Sequence, residues 1–351
     1  MDTNERSLNT TDDELLILRA GDVGELLAGQ EQEIIETVRA AYELYAEGDS
    51  SLPHSTFLRF PKEPRNRIIA LPAYLDGRFN VAGVKWISSF PNNLDAGLDR
   101  ASAVIVLNSA QTGRPRAIVE GSIISAKRTA ASAALAARHL HQAPGPLRLG
   151  LIGCGVINFE IVRFVSSVFP DIAAVTIFDI DAARVERFTD RCREFVGAAE
   201  VTRAERLADV LGAARLVSVA TTALKPHIDD LSMCAPGTTI LHVSLRDLTS
   251  DIILDCDNIV DDIDHVCRAE TSIHLAEQSV GNRDFIRCPL ADITSGRAPA
   301  RESADAISVF SPFGLGVLDL AVADMVYGAA RRQGKGTLMS SFLPAAWDKR
   351  P

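Results

Sequence analysis

Residues Leu147 to Asn158 read LRLGLIGCGVIN, and VTIFDID follows, ending at Asp181. An apolar strand runs straight into Gly153-Cys154-Gly155. A helix-like segment then opens at Val156, and a second apolar strand ends in Asp179. No other feature constrains the chain as much. The first glycine permits a tight turn, the second lets backbone approach an anion, and the N-terminus of the helix beyond presents free N–H groups to it. Asp179 stands 21 residues past Asn158, close to the ~20-residue spacing at which a carboxylate meets a ribose 2′-hydroxyl. The pattern predicts a dinucleotide site with Gly153, Gly155, Val156, Asn158 and Asp179 on the cofactor, and the acid favours NAD over NADP. Asn158 takes the place of a third glycine or alanine, where a larger side chain is expected to loosen helix-on-strand packing.

A chain of 351 residues suits about two domains. With 47% hydrophobic and 23% charged residues, its composition is that of an ordinary globular protein. Six cysteines are scattered without a CxxC pair, the usage of a reducing compartment. The first fifteen residues are polar and acidic, unlike a secretory leader, and no apolar run reaches the ~18 residues that span a membrane. Together these predict a cytoplasmic protein. A formal net charge of −10 argues against nucleic acid. Yet Arg59–Lys85 holds six cations against two anions, and 101–140 holds five against Glu120 alone. Such segments make either a local anion pocket or a solvated basic face.

Helical spacing over 31–47 predicts an amphipathic helix. RIIALPAYL and FNVAGVKWI read as a hairpin turning at Asp76-Gly77, and SAVIVLNSAQTGRPRAIVEG as a second turning at Thr112-Gly113. The alanine-rich stretch 122–140 reads as a long helix, and Ala143-Pro144-Gly145-Pro146 as a breaker leading into the dinucleotide strand. Beyond it come helices near 156–168 and 182–196 and strands at RLVSVATT, TTILHVSL and DNIVDD, which predicts a parallel sheet. Past Pro312, FGLGVLDLAVADMVYGAARR reads as a helix that packs back on the first part of the chain. No internal repeat is present.

The histidines have no zinc spacing, and the acid cluster Asp255, Asp257, Asp261, Asp262 and Asp264 lacks EF-hand spacing. It reads as solvation of a strand end and a helix start, so no metal is expected. No GxSxG elbow appears. What remains is a nicotinamide site needing a cationic clamp and one proton-handling group. Arg59, Lys85, Arg100 and Arg128 are the clamp candidates, since cations orient a carboxylate. Asp247, at a strand end, is the candidate acid or base.

Lys85-Trp86 with Phe90-Pro91-Asn92-Asn93, the hairpin LNSAQTGRPRAIVEG, the helix opening Lys127-Arg128-Thr129-Ala130-Ala131 and the GLIGCG turn resemble, in this order, the ornithine cyclodeaminase and mu-crystallin family. The resemblance runs from about residue 55 to about residue 335. It implies an α/β fold, a Rossmann NAD-binding domain (129–313) inserted in an α+β substrate-binding and dimerisation domain (1–128 plus 314–351), and a homodimer. Carried across by motif, it makes Lys85 a substrate-binding and catalytic lysine and Arg128 the grip on the substrate carboxylate. Asp247 becomes the water-activating aspartate and Arg59 an earlier carboxylate ligand. Arg100, Thr221, Thr222, Val243, Ser244 and Leu245 would line the cofactor.

Two departures point away from ornithine. Ile69 stands where cyclodeaminases place a glutamate, and Leu245-Arg246 replaces a glycine pair before Asp247. Both favour an acidic substrate. The phrases GLDRASAVIVLNS, EGSIISAKRTAAS and IVDDIDHVCRAETSIHLAEQ, with GLIGCGVINFEI, resemble the subgroup that makes 2,3-diaminopropionate for siderophores and peptide antibiotics. In that light Asn158 is a subgroup feature. The implied reaction is NAD-dependent oxidation of N-(2-amino-2-carboxyethyl)-L-glutamate, a small tricarboxylate amino acid, followed by imine hydrolysis. A cyclodeaminase, an alanine dehydrogenase, an imine reductase and a non-catalytic NAD(H)-binding protein stay open as alternatives.

Overall fold

The computed structural model describes residues 14–344 and 347–349. Most of the polar start read for a leader, residues 1–13, lies outside the described residues. In chain order come β1 (Leu15–Leu18), α1 (Ala20–Leu26), α2 (Glu31–Glu47), β2 (Ser50–Ser51), β3 (Thr56–Phe60), β4 (Glu63–Leu75), β5 (Val81–Ser89), β6 (Ala103–Ser109), β7 (Pro115–Glu120) and α3 (Ser122–Leu140). Next are β8 (Leu147–Ile152), α4 (Val156–Val168), β9 (Ile172–Phe178), α5 (Ala182–Val196), β10 (Glu200–Arg203), α6 (Leu207–Ala213), β11 (Leu216–Val219) and β12 (Thr239–His242). The chain continues through α7 (Ser250–Leu254), β13 (Asp257–Val260), α8 (Ile263–Val266), α9 (Ser272–Val280), β14 (Ile286–Pro289), α10 (Leu290–Thr294), β15 (Ser308–Ser311), α11 (Gly316–Gln333) and β16 (Thr337–Met339).

The strands make two sheets. The first has the order β16-β1-β7-β6-β5-β4-β2, with β3 also paired to β4. Its β4–β5 and β6–β7 pairs are the two expected hairpins. Alternation sets its two faces apart. Leu71, Ala73, Leu75, Ile105 and Leu107 are buried on the inner face, where α11 packs across β4, β5 and β6. The outer face carries Leu58 and Trp86, 47% and 41% exposed, with half-buried Val84, Val104 and Val106 beside them. An apolar sheet face left open to water is the usual mark of an interface.

The second sheet is parallel throughout, in the order β10-β9-β8-β11-β12-β15-β13-β14. Its first five places run 3-2-1-4-5, the doubly wound Rossmann order, and the direction of winding reverses between β8 and β11. Ligands bind in such sheets outside the strand ends at that reversal. The last strand, β15, inserts between β12 and β13, a placement the sequence pattern did not reveal.

Helix α3 joins the halves. Its alanines are buried on nearly every side, because α2 packs on it from the first half and α4 from the second. Small side chains allow both approaches. The expected division at residue 128 falls within this unbroken helix, and one apolar cluster runs from Leu16 and Val119 to Leu149 and Val175.

Candidate active site

The glycine turn lies at the reversal point between β8 and β11. Gly153 has φ +97, and a Cβ there would sit 2.4 Å from the carbonyl of Ala220, so only glycine fits. Gly155 is the N-cap of α4, without a side-chain cap, and an added Cβ would meet nothing within 4 Å. Open space therefore faces the uncapped first turn of a 13-residue helix, the arrangement that accepts a pyrophosphate. Asp179 accepts N–H bonds from Cys154 at 2.7 Å and Asp181 at 3.0 Å, fixing its carboxylate at the rim. These groups fit a dinucleotide. Asn158 is fully buried, and its amide donates to the carbonyls of Ile152 (2.9 Å) and Gly153 (2.7 Å) while Ser218 donates to it at 2.7 Å. The larger side chain thus clamps the turn to β11 instead of loosening it, and does so from beneath the cofactor surface.

A cleft of about 410 Å³ opens from this turn, lined by Arg100, Gly155, Val156, Thr221, Thr222, Val243 and Ser244. Lys85 and Arg128 lie behind its wall. Lys85 is 2% exposed, and its Nζ donates to Asp319 Oδ2 at 2.6 Å and to Ser125 Oγ at 3.2 Å, Ser125 being a cleft residue. Arg128 Nε donates to the other oxygen of Asp319 at 3.0 Å. One fully buried carboxylate on α11 thus holds both cations. Burial pushes the Lys85 ammonium down to about 8; Asp319 opposes that shift and Arg128 adds to it. The free edge of the Arg128 guanidinium lies against Gly314, where φ is +93 and a Cβ would stand 2.9 Å from Nη1. Asp261 shapes this turn by accepting the N–H groups of Phe313 (2.9 Å) and Gly314 (2.6 Å).

Asp247 is also buried, one hydroxyl layer behind the cleft. The Thr221 and Ser244 hydroxyls donate to its two carboxylate oxygens. His242 Nε2 lies 3.3 Å from Oδ2 and 3.2 Å from the Asp247 backbone nitrogen. Burial raises the carboxyl pKa, but the His242 contact and the two hydroxyls outweigh it and bring it to about 2. Either hydroxyl links the Asp247 carboxylate to the cleft. Leu245, in the place of a family glycine, does adopt the left-handed backbone that glycine favours, φ +69.

Apart from Gly153 and Asp179 at the turn, the expected residues fall into four groups. Arg100, Gly155, Val156, Thr221, Thr222, Val243 and Ser244 line the cleft, while Lys85, Arg128 and Asp247 stand immediately behind it. Asn158 and Leu245 are buried in the walls of the turn and of the Asp247 loop. Arg59 lies in a neighbouring cavity. The acid cluster needs a further correction. Asp257 is buried against Arg287 at 2.5 Å, Asp261 is buried at the Gly314 turn, and Asp262 caps α8 and accepts Tyr45 Oη at 2.6 Å. These acids build structure and are not mere solvation. Among the described residues no group of three or more metal-ligating side chains gathers. Sequence reasoning missed Asp319, hidden in an apolar helical pattern, and His242, five residues before Asp247.

Known proteins share the whole architecture. N-((2S)-2-amino-2-carboxyethyl)-L-glutamate dehydrogenase of Staphylococcus aureus is 28% identical over 337 residues, 94% of this chain and 99% of that protein. The Δ1-pyrroline-2-carboxylate reductase of Thermococcus litoralis, solved with NADH and L-proline, superposes with a TM-score of 0.85 at 27% identity, covering 92% of this chain and 99% of that one. An archaeal alanine dehydrogenase dimer with bound NAD gives 0.84 at 26% identity, covering 94% and 100%. Residues 14–334 match the ornithine cyclodeaminase/mu-crystallin family, and the chain belongs to it.

Proposed function

We propose that the protein is an NAD-dependent oxidoreductase acting on the CH–NH bond of an amino acid, and that its substrate is N-(2-amino-2-carboxyethyl)-L-glutamate. With water and NAD the substrate gives 2,3-diaminopropionate, 2-oxoglutarate, NADH and a proton. The observation that carries the reading is the pair Lys85 and Arg128, held on Asp319 one residue behind the cleft wall. The S. aureus relative, named for this substrate, supports the choice among amino acids. Ile69 supports it too, since no carboxylate stands there to receive a basic side chain.

NAD, when bound, supplies the hydride acceptor. Gly155 and Val156 would present backbone N–H groups to its pyrophosphate, and Asp179 would receive the ribose hydroxyl. Lys85 and Arg128 hold the carboxylate on the reacting carbon, fixing that carbon at the ~3–3.5 Å reaction distance. Thr221 or Ser244 takes a proton from the attacking water as its own passes to Asp247. The product feeds siderophore or peptide-antibiotic assembly. We assign the protein to the cytoplasm as a homodimer. All six cysteines are free, none of the described helices is long and apolar enough to cross a membrane, and the open Leu58–Trp86 face supplies an interface.

The test is a substrate panel with NAD. Equimolar NADH and 2-oxoglutarate from the glutamate adduct, with no turnover of ornithine or alanine, is the expected result. Turnover of alanine or ornithine but not the adduct would sink the substrate assignment. Tight NADH binding without any turnover would sink the enzymatic reading.

A further inference from the structure

The strand register sets Arg59 of β3 opposite Arg67 of β4, and Arg67 opposite Ser89 of β5. Directly paired residues share a sheet face. Lys85 pairs with Leu71, and each lies four residues along its strand from Ser89 and Arg67. The arginine row is therefore on the inner face with Lys85, about 13 Å away at ~3.3 Å per residue. Between them lies the apolar pair Ile69 and Ile87, and Ile87 lines the cleft. Past the row, a second cavity of about 170 Å³ is walled by Phe57, Arg59, His265, Arg268 and Ala269. Arg246 reaches the same wall from the Asp247 loop, donating from Nη2 to the carbonyl of Ala269 at 2.7 Å.

None of these cations is held in an ion pair, although the Glu270 and Asp247 carboxylates act on Arg246 from farther off. Among the described residues, no carboxylate lies within 4.0 Å of the guanidinium groups of Arg59, Arg67 or Arg246. Arg67 Nε is buried with no hydrogen-bond partner. Burial, then Arg246, Arg100 and Arg59, push the Arg67 guanidinium down to about 10. In a chain of net charge −10, a cluster of mutually repelling arginines destabilises the fold until an anion sits among them.

We propose that Arg67 and Arg246, with Arg59, form the subsite for carboxylates at the far end of the substrate, so that the cleft selects amino acids carrying acid groups remote from the reacting carbon. Lys85 and Arg128 hold the near carboxylate, and Ile69 and Ile87 floor the chain between. This rests on the reading of the cleft as an amino-acid oxidising site.

The experiment uses NADH-loaded full-length protein titrated calorimetrically with glutarate, which has two carboxylates, and butyrate, which has one. Glutarate should bind the unaltered protein at least about tenfold more tightly than butyrate. Arg67→Gln and Arg246→Gln should each remove most of that preference while leaving butyrate and NADH binding within about twofold, since each deletes one charge-assisted contact. The two residues lie on different elements, so either variant serves if the other fails to fold. Equal affinity for the two acids, or glutarate binding untouched by both substitutions, would overturn the subsite. If the glutarate preference depends on both arginines but the adduct is not oxidised, the substrate identity falls and the subsite stands.

Discussion

Replacing Asp319 with asparagine removes the carboxylate on which the Lys85 and Arg128 cluster is built. The amide preserves shape and can still accept from Arg128 Nε, but it turns a donor toward the Lys85 ammonium, now 2.6 Å from an acceptor. Breaking a buried ion pair by removing one partner costs ~3–5 kcal/mol. Here the cost belongs to the lower end, because Lys85 escapes part of it by shedding its proton. Burial already brings its pKa to about 8 with Asp319 opposing, so without Asp319 it falls further. The sign follows from linkage. A lysine whose folded pKa lies below its unfolded value binds more protons unfolded, so stability rises with pH through that window. In Asp319→Asn the window opens at lower pH, and the deficit relative to the unaltered protein is greatest at acid pH and shrinks as pH approaches 8. Urea unfolding across that range, read from the midpoint at constant m, measures it. The substrate KM at pH 7 should rise steeply, because a neutral lysine does not hold a carboxylate, while NADH affinity is preserved. A loss below about 1 kcal/mol, independent of pH and with KM unchanged, would refute the account of Asp319 as the shared anchor.

Three further outcomes follow from the same geometry. In the unaltered protein, substrate KM should climb as pH rises through about 8, where Lys85 loses its proton, with no matching change in NADH affinity. Asp247→Asn should lower turnover by ~10²–10⁴, the range of general-base help, and leave NADH binding intact, as fluorescence titration would read. Gly314→Ala places a methyl 2.9 Å from Arg128 Nη1 at a residue whose φ is +93, so steady-state kinetics should give a KM raised about tenfold or more with the dinucleotide affinity unmoved.

What could be read from the sequence was whatever is encoded locally. The β8 turn, both hairpins, α2, α3 and α11 come from periodicity and turn chemistry within a few residues, and each stands where the pattern placed it. Long-range partnerships left no such trace. Asp319 carries no local signal, because its partner Arg128 lies 191 residues away in sequence. Strand β15 enters the sheet out of chain order, which no local pattern encodes. Asn158 was legible as a departure but not in its effect. A buried amide can satisfy two carbonyls and one hydroxyl at once, and that requires the neighbouring strand to be in place.

The acid cluster and the arginine row explain each other. Each buried acid around the cleft is committed to a structural partner. Asp319 holds Lys85 and Arg128. Asp261 takes backbone N–H groups, Asp262 takes His265 and Tyr45, and Asp247 takes two hydroxyls. None pairs directly with Arg59 or Arg67, and Arg246 has only the more distant Glu270 and Asp247 to offset it. A negative net charge therefore coexists with a locally positive pocket because the acids nearest it are spent on the fold. Were the arginines mere surface charge, the exposed acids of so acidic a chain would be their natural partners, yet Arg67 Nε is buried with none. The imbalance lies beside the cleft, around the neighbouring cavity that Arg59 lines, where it can act on a substrate's far carboxylates without disturbing the Lys85 cluster about 13 Å away.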